Sequence, residues 1–240
     1  MKNIMNNNVN NIAIEVKDVY KSFGFGENVF EAIKGISLSI EKGSFVSLVG
    51  KSGSGKSTML HMMAALDEPS KGKIFIYNKE VGELSNKERC LLRNEKIGFI
   101  FQSFYLEENY TVYKNVEMPL IINGMSKSKR KKLVLEVLDK VGLKDKMKNK
   151  AAKLSGGEKQ RVAIARAIVN KPKIVFADEP CGNLDTENGE VVMKLLKDFA
   201  NRGVTVVLVT HNLEDAKKTE RIISLKDGKV ISDEYIGTGN

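Results

Sequence analysis

The sequence predicts an α/β fold with a parallel central sheet, and three observations lead to this prediction. Short segments of strand character alternate with segments of helical periodicity along most of the chain. A glycine-rich loop directly follows one predicted strand and opens a predicted helix. Between about Ser103 and Asn170 the strand signal disappears and helical spacing takes over, which predicts a mostly helical lobe.

The first part of the chain supplies five of the predicted strands. Alternation of polar and apolar residues predicts two half-buried strands, and an uninterrupted apolar run predicts a third strand that is buried on both faces. These three and two further strands are Ile12–Val16, Ile36–Ile40, Phe45–Val49, Ile74–Tyr77 and Ile97–Phe101. A helix is expected from Lys56, with Pro69 and Gly72 closing that region.

The second part of the chain supplies helices first and strands again later. Helical spacing starts at Leu133, and an Ala-rich helix from Val162 to Val169 stops before Pro172. Strands are then expected at Ile174–Ala177, Val204–Val209 and Ile222–Leu225, with a helix between the first two and a short helix before the third. Asp227-Gly228 should turn a final hairpin. No internal repeat is visible, so a single copy of this arrangement is expected.

Composition favours a cytoplasmic globular domain. Of the 240 residues 42% are apolar, which is enough for a packed core. No stretch approaches the roughly 20 apolar residues that span a bilayer. The Asn-rich residues 1–10 are expected to be a disordered tail rather than a signal peptide. The only cysteines, Cys90 and Cys181, do not form a disulfide scaffold or a metal-ligand pattern.

The net charge of +9 is concentrated in one segment. Residues 121–153 contain 11 Lys and Arg against 3 Asp and Glu, which is nearly all of the excess. Such a segment is either a solvated helix face or a surface for an anionic partner.

A phosphate-binding loop is the strongest single motif. Every fixed position of G-x-x-x-x-G-K-[ST] is matched. The expected nucleotide contacts are Gly50, Lys51, Ser52, Gly53, Ser54, Gly55, Lys56, Ser57 and the following Thr58. Glycines let backbone N–H groups approach phosphate oxygens, and the helix start adds positive charge. Lys56 would reach the β- and γ-phosphates and Ser57 would coordinate Mg²⁺; the alternative is a flexible Gly/Ser turn.

Two adjacent carboxylates end the strand that starts at Ile174. Asp178 is expected to hold Mg²⁺, and Glu179 to polarise a water for attack on the γ-phosphate. Neighbouring side chains on a strand point to opposite faces, so the two should be aimed differently. The alternative is an acidic helix start.

A second glycine-rich helix start lies at Leu154-Ser155-Gly156-Gly157-Glu158. Ser155 and Glu158 have the spacing of a capping box, which is one interpretation. The other is an anion site at the helix N-terminus, contacting the nucleotide of a second copy through Ser155, Gly156, Gly157 and Glu158.

Taken in order, these motifs resemble the nucleotide-binding subunits of ATP-binding-cassette (ABC) transporters, from about Ile12 to Val230. The resemblance implies a P-loop cassette with a mixed central sheet, an antiparallel β subdomain and an inserted helical lobe at about 103–170, all within one domain over 11–240. It also implies ATP and Mg²⁺ as ligands, an ATP-dependent homodimer, and an integral membrane permease as partner at the cytoplasmic face of the membrane. No nucleic acid is expected.

The resemblance extends the site to further residues. It implies that Gln102 touches Mg²⁺ and links the site to the membrane partner, and that Asp185 lies in a loop that meets the other subunit. His211 would contact the γ-phosphate and orient the water, so Glu179, His211 and Lys56 form the expected catalytic set. Phe23 falls where the family stacks an aromatic ring on adenine, although it is equally suited to a core position. His61 is assigned to packing.

Three residues depart from the family pattern. Glu158 stands where Gln is usual, Cys181 where this branch has Thr, and Lys51 where Pro or Ser is expected. None removes a catalytic group. Glu158 places a negative charge close to the expected triphosphate of the second copy, which would weaken ATP-driven closure.

Segments such as Leu66–Pro69 and Gly182–Asp185 resemble the branch of macrolide exporters, lipoprotein-release ATPases and antimicrobial-peptide systems. Peptide or antibiotic export is therefore the expected function, with lipoprotein release or cell-division mechanotransmission as alternatives. A nucleic-acid-handling cassette is a distant alternative, because the region between the two glycine-rich motifs lacks the sustained heptads of a coiled coil.

Overall fold

A computed structural model describes residues 11–24, 26 and 28–236 of the chain. The expected tail, residues 1–10, lies outside the described residues. The strands are β1 Ile12–Phe23, β2 Phe30–Glu41, β3 Phe45–Val49, β4 Lys71–Ile76, β5 Lys79–Glu80, β6 Ile97–Ile100, β7 Ile174–Asp178, β8 Thr205–Thr210, β9 Arg221–Lys226 and β10 Lys229–Tyr235. The α-helices are α1 Lys56–Met63, α2 Asn86–Lys96, α3 Val112–Ile122, α4 Lys127–Lys140, α5 Gly156–Ile168, α6 Thr186–Asn201 and α7 Leu213–Ala216.

The strands form two sheets. One has the order β2-β1-β4-β5 and is antiparallel throughout. The other has the order β10-β9-β3-β8-β7-β6; four of its five pairings are parallel, and the fifth, between β9 and β10, is an antiparallel hairpin. The sheet is therefore mixed, as the family resemblance implied, and the hairpin turns at Asp227-Gly228, both with positive φ.

Two apolar clusters hold these layers together. The first fills the space between the two sheets and α1, and includes Ile14, Met59 and Phe176. The second lies between the central sheet and α3 to α6, and includes Val116, Leu138 and Leu196. All five residues of β3 are buried, as the apolar run predicted. This strand lies between β8 and β9 and carries the phosphate-binding loop at its end.

Helix α2 was not predicted from the sequence. None of its 11 residues is buried, so it has no apolar stripe that periodicity could reveal. Its start is instead encoded locally by a capping box between Ser85 and Glu88. β1 was also predicted too short, because positive φ at Asp18 and shifts of register interrupt its alternation.

The stretch 103–170 contains α3, α4 and α5 and, within the described residues, no strand. Helix α4 begins without a side-chain cap. Ser126 occupies the N-cap position, but its side chain makes no capping hydrogen bond. No helix in the described ranges is long and apolar enough to cross a membrane.

Candidate nucleotide site

The functional motifs meet at one edge of the central sheet because parallel strands end on the same side. β3 ends at Val49 before the phosphate-binding loop, β7 ends at Asp178, and β8 ends at Thr210 before His211. β6 ends at Ile100, two residues before Gln102. This is the edge at which α/β proteins bind ligands.

The loop at 50–57 requires glycine for two different reasons. Gly55 has φ +98°, and a Cβ there would lie 2.7 Å from Ile33 Cδ1 and 2.8 Å from the Ala32 carbonyl oxygen. Gly53 has φ +78° with open space around it, so its requirement is conformational. The loop therefore exposes its backbone to an arriving phosphate on one side while it packs tightly on the other.

Lys56 points into the loop. Its Nζ donates hydrogen bonds to the carbonyl oxygens of Gly50, at 2.8 Å, and Lys51, at 3.0 Å, and the side chain is buried. No acidic residue lies in the first turn of α1. The hydroxyl oxygen of Ser54 is buried without a hydrogen-bond partner. A buried cation, an unpartnered hydroxyl and the positive end of a helix fit a phosphate chain.

Ser57 and Asp178 form an oxygen pair that fits Mg²⁺. Ser57 Oγ donates to Asp178 Oδ1 at 3.1 Å. Burial raises the pKa of Asp178, and the Ser57 hydrogen bond and nearby His61 oppose that rise. Mg²⁺ is commonly held by one or two protein oxygens together with substrate phosphates. Accordingly, the described residues contain no group of three or more His, Cys, Asp or Glu that could hold a metal alone.

Glu179 directly follows β7, which ends at Asp178. Its φ is +45°, and its N–H donates to the Val209 carbonyl oxygen at 2.9 Å. Its Oε2 lies 3.1 Å from His211 Nδ1. Asp178 contacts Ser57 whereas Glu179 contacts His211, so the two carboxylates have different partners. Strained backbone such as the positive φ of Glu179 is concentrated at functional sites.

One open cleft of about 770 Å³ lies at this edge of the sheet. A cleft of this size accommodates a nucleotide. The phosphate-binding loop, Gln102, Glu179 and His211 line it, together with Phe23. The Phe23 ring is 46% exposed and has Lys21 Nζ 5.1 Å from its centroid. It is therefore accessible for stacking and does not belong to the core.

The residues 155–158 do not line this cleft. Ser155 caps α5: its N–H donates to Glu158 Oε2 at 3.0 Å, and its Oγ accepts from the Glu158 N–H at 3.3 Å. The capping box is therefore formed. Lys146 Nζ binds the other carboxylate oxygen of Glu158, and this contact, followed by the Ser155 hydrogen bond, lowers the pKa of Glu158.

Asp185 also lies away from the cleft and caps α6. It accepts from the Asn188 N–H at 2.8 Å, and the Asn188 amide oxygen accepts from Arg161 at 3.2 Å. A Cβ on Gly157 would lie 2.0 Å from that same oxygen. A side chain at position 157 would therefore displace the Asn188 side chain, which Asp185 and Arg161 hold at the start of α6.

Four residues near the motifs were missed or misassigned by sequence reasoning. His61, assigned to packing, contacts the Phe99 ring but also places Nε2 3.8 Å from Asp178 Oδ2, so that assignment is incomplete. Gln160 is fully buried and donates to the Pro180 carbonyl oxygen at 2.8 Å, next to Glu179. Lys146 and Asn188 are also found only through tertiary contacts, which no local pattern signals.

Cys181, one of the departures from the family pattern, is chemically inert here. Burial raises the pKa of its thiol to about 12. Its Sγ lies 3.6 Å from the Gly189 carbonyl oxygen. It is therefore a protonated packing residue at neutral pH and not a nucleophile.

The fold and the site define a P-loop cassette that binds a nucleoside triphosphate. The family model described as "ABC transporter" matches residues 33–182. The chain belongs to the ABC transporter family, and it is an ATP-binding and ATP-hydrolysing protein with Mg²⁺ as the usual partner ion.

Relatives and solved structures agree with this membership. The chain is 45% identical to the ABC transporter ATP-binding protein MJ1508 of Methanocaldococcus jannaschii, covering 91% of this chain and 97% of that one. It is 48% identical to the lipoprotein-releasing system ATP-binding protein LolD of Aquifex aeolicus, covering 85% and 91%. A dimeric structure of the cassette MJ0796 bound to ADP and Pi superimposes with a TM-score of 0.86 at 44% identity, covering 92% and 98%.

The macrolide export ATP-binding/permease protein MacB of Bdellovibrio bacteriovorus is 44% identical over 225 residues. That match covers 93% of this chain and 34% of MacB, so the chain spans about a third of that relative.

Proposed function

We propose that ATP joins two copies of this chain, and that the cycle of joining and hydrolysis drives an integral membrane permease. The observation that carries this proposal is the separation of the two glycine-rich motifs. The cleft at the phosphate-binding loop lacks Ser155 to Glu158, although their helix start has the chemistry of an anion site. A second copy is the natural source of the missing side of each site, and the relative MJ0796 is dimeric.

Within each site we assign roles to the residues as follows. Lys56 and the loop amides bind the phosphates, and Phe23 stacks on the adenine. Ser57, Asp178 and Gln102 would hold Mg²⁺, which neutralises phosphate charge when bound. The Glu179 carboxylate accepts a proton from the attacking water as the new P–O bond forms, and the bond from the γ-phosphorus to the bridging oxygen breaks to release ADP. His211, 3.1 Å from Glu179, orients this water and contacts the γ-phosphate.

An aromatic groove supports a membrane protein as the partner. Phe99, Phe101, Tyr105 and Pro119 line it, and Tyr105 is 68% exposed. The Phe101 and Tyr105 rings meet edge to face at 5.1 Å. Gln102 lines the nucleotide cleft and directly follows Phe101 of the groove, so a helix seated in the groove would be linked to the site through adjacent residues.

For the transported substrate we propose peptides or antibiotics, by export or defence. The similarity to MacB, named for macrolide export, supports this choice. The similarity to LolD supports lipoprotein release as the second candidate. Deleting the gene and measuring sensitivity to macrolides and cationic peptides separates them, because a lipoprotein-release defect would instead mislocalise lipoproteins.

The assembly is tested with Glu179→Gln, which should retain bound ATP. We expect this variant to sediment as a monomer without nucleotide and as a dimer with ATP and Mg²⁺. The matched control is Lys56→Ala/Glu179→Gln, which should remain monomeric with ATP because its loop holds the phosphates poorly. A Glu179→Gln chain that binds ATP and stays monomeric would refute the proposed assembly.

The basic segment supports attachment at the cytoplasmic face of the membrane. Lys127, Lys129, Lys131 and Lys132 are exposed at the start of α4, and Ile121 and Ile122 are exposed at the end of α3. Arg130, in the same part of α4, is held within the chain: it donates to Glu117 Oε1 at 2.7 Å and to the Met125 carbonyl oxygen at 2.6 Å. Basic residues near an anionic surface contribute about 1 kcal/mol each.

Replacing these four lysines by Gln should therefore reduce sedimentation with anionic vesicles and leave the weak binding to neutral vesicles unchanged. High salt should abolish the difference, since the Debye length falls to about 3 Å at 1 M. The matched control replaces four exposed lysines elsewhere: Lys194, Lys197, Lys226 and Lys229. Equal loss in both variants would assign the attraction to net charge and the α4 cluster to a solvated face.

A further inference from the structure

The carboxylate of Glu158 is fully engaged within its own chain. Oε2 accepts from the Ser155 N–H at 3.0 Å, Oε1 accepts from Lys146 Nζ, and the side chain is only 15% exposed. Arg161 adds a more distant positive charge. Glu158 is therefore held at the first turn of α5 and cannot swing away when an anion approaches that turn.

Lys146 belongs to a different element from Glu158, and backbone hydrogen bonds hold that element in place. It lies in the turn between α4 and α5, where its N–H donates to the Leu143 carbonyl oxygen at 3.1 Å and its carbonyl accepts from the Asn149 N–H at 2.9 Å. The backbone that presents the ammonium is thus fixed by two hydrogen bonds. The ion pair joins two elements of the lobe by side chains 12 residues apart in sequence.

The charge at the start of α5 matters because, in the proposed dimer, this helix start contacts the triphosphate bound by the second copy. A helix N-terminus attracts an anion through about half a positive charge. A bare carboxylate on the first turn would cancel that attraction and repel a triphosphate. The Lys146 ammonium, bound to that carboxylate, compensates its negative charge, and the capping box between Ser155 and Glu158 stays formed.

We propose that Lys146 is a further determinant of the ATP-bound dimer: it neutralises Glu158, so that a motif carrying a carboxylate in place of the usual amide still accepts the triphosphate of a second copy. Lys146 and Glu158 then act as one unit, and neither residue is adequate alone. This inference rests on the proposed ATP-dependent dimer.

The test is a double-mutant cycle on the dissociation constant of the ATP-bound dimer, measured by sedimentation equilibrium in the Glu179→Gln background. Lys146→Gln should raise the constant about tenfold, because each of the two sites in a dimer contributes about threefold. Glu158→Gln should lower it, since a negative charge is lost and the Gln oxygen still accepts from Ser155. The double variant Lys146→Gln/Glu158→Gln should return to within about threefold of the parent.

Lys144→Gln is the matched control. It removes the same charge from the same turn, but Lys144 pairs with exposed Asp139 at 3.2 Å. It should leave the dimer unchanged. Melting temperatures of all variants show whether the lobe remains folded.

Three outcomes would overturn the inference. The first is a Lys146→Gln dimer as strong as that of Lys144→Gln. The second is a double variant as weak as Lys146→Gln, which would make Lys146 a direct ligand of the partner's nucleotide. The third is a Glu158→Gln dimer weaker than the parent. By contrast, a Glu179→Gln parent that fails to dimerise with ATP would refute the proposed function itself.

Discussion

Replacing Glu179 by Gln should lower ATP turnover by about 10²–10⁴-fold and leave ATP binding unchanged. Glu179 lies in the cleft beside the phosphate-binding loop, with Oε2 3.1 Å from His211 Nδ1. Gln keeps the shape of the side chain but does not accept a proton at neutral pH. The water would then have to attack the γ-phosphate without a base, while the loop and Lys56 still hold the phosphates.

The measurement is steady-state phosphate release together with equilibrium binding of ATP. Glu190→Gln is a suitable control, because Glu190 is exposed on α6 and pairs with Lys218 outside the cleft. It should hydrolyse ATP at the parent rate. If Glu179→Gln also hydrolyses ATP at that rate, Glu179 is not the base.

Replacing Lys56 by Ala should weaken nucleotide binding itself, by about 10- to 100-fold. Hydrogen bonds to charged groups are worth about 1.5–3 kcal/mol each, and the ammonium is already buried inside the loop. Its removal also takes one donor from each of the carbonyl oxygens of Gly50 and Lys51, of which the Lys51 oxygen keeps the Ser54 N–H at 3.1 Å. Isothermal titration with ATP, at a temperature where both proteins are folded, measures the loss.

The variant Lys51→Ala shows whether ATP binding depends on the placement of Lys56 or only on the positive charge of the loop. Lys51 is a neighbouring exposed lysine that also lines the cleft, so its removal changes the net charge equally. We expect it to weaken ATP binding several-fold less than Lys56→Ala does. Equal losses would mean that the loop attracts phosphate through its overall charge and not through the placement of Lys56.

Local sequence was sufficient to predict the parts of the site that a single segment builds. The strand Phe45–Val49, the loop after it and the helix from Lys56 follow one another in a pattern with a direct physical meaning. Parallel pairing then brings Asp178, Glu179, Gln102 and His211 to the same edge, as alternating strands and helices predicted.

The features that were missed depend on contacts between distant segments. Helix α2 has no buried face to create periodicity. The charge of Glu158 was predicted to oppose dimerisation, and the ion pair that it forms with Lys146 is visible only in three dimensions. Likewise, Gly157 was predicted as part of an anion site, and nothing local shows that Asn188 fills the space beside it.

The central claim is that each active site is completed by a second copy of the chain. It is tested most directly by measuring ATP hydrolysis per chain as a function of chain concentration, with sedimentation of the same samples during turnover. The account predicts that specific activity rises with concentration in parallel with the fraction of dimer and approaches zero where the chain is monomeric. A monomeric chain that hydrolyses ATP at the full rate per molecule would contradict it.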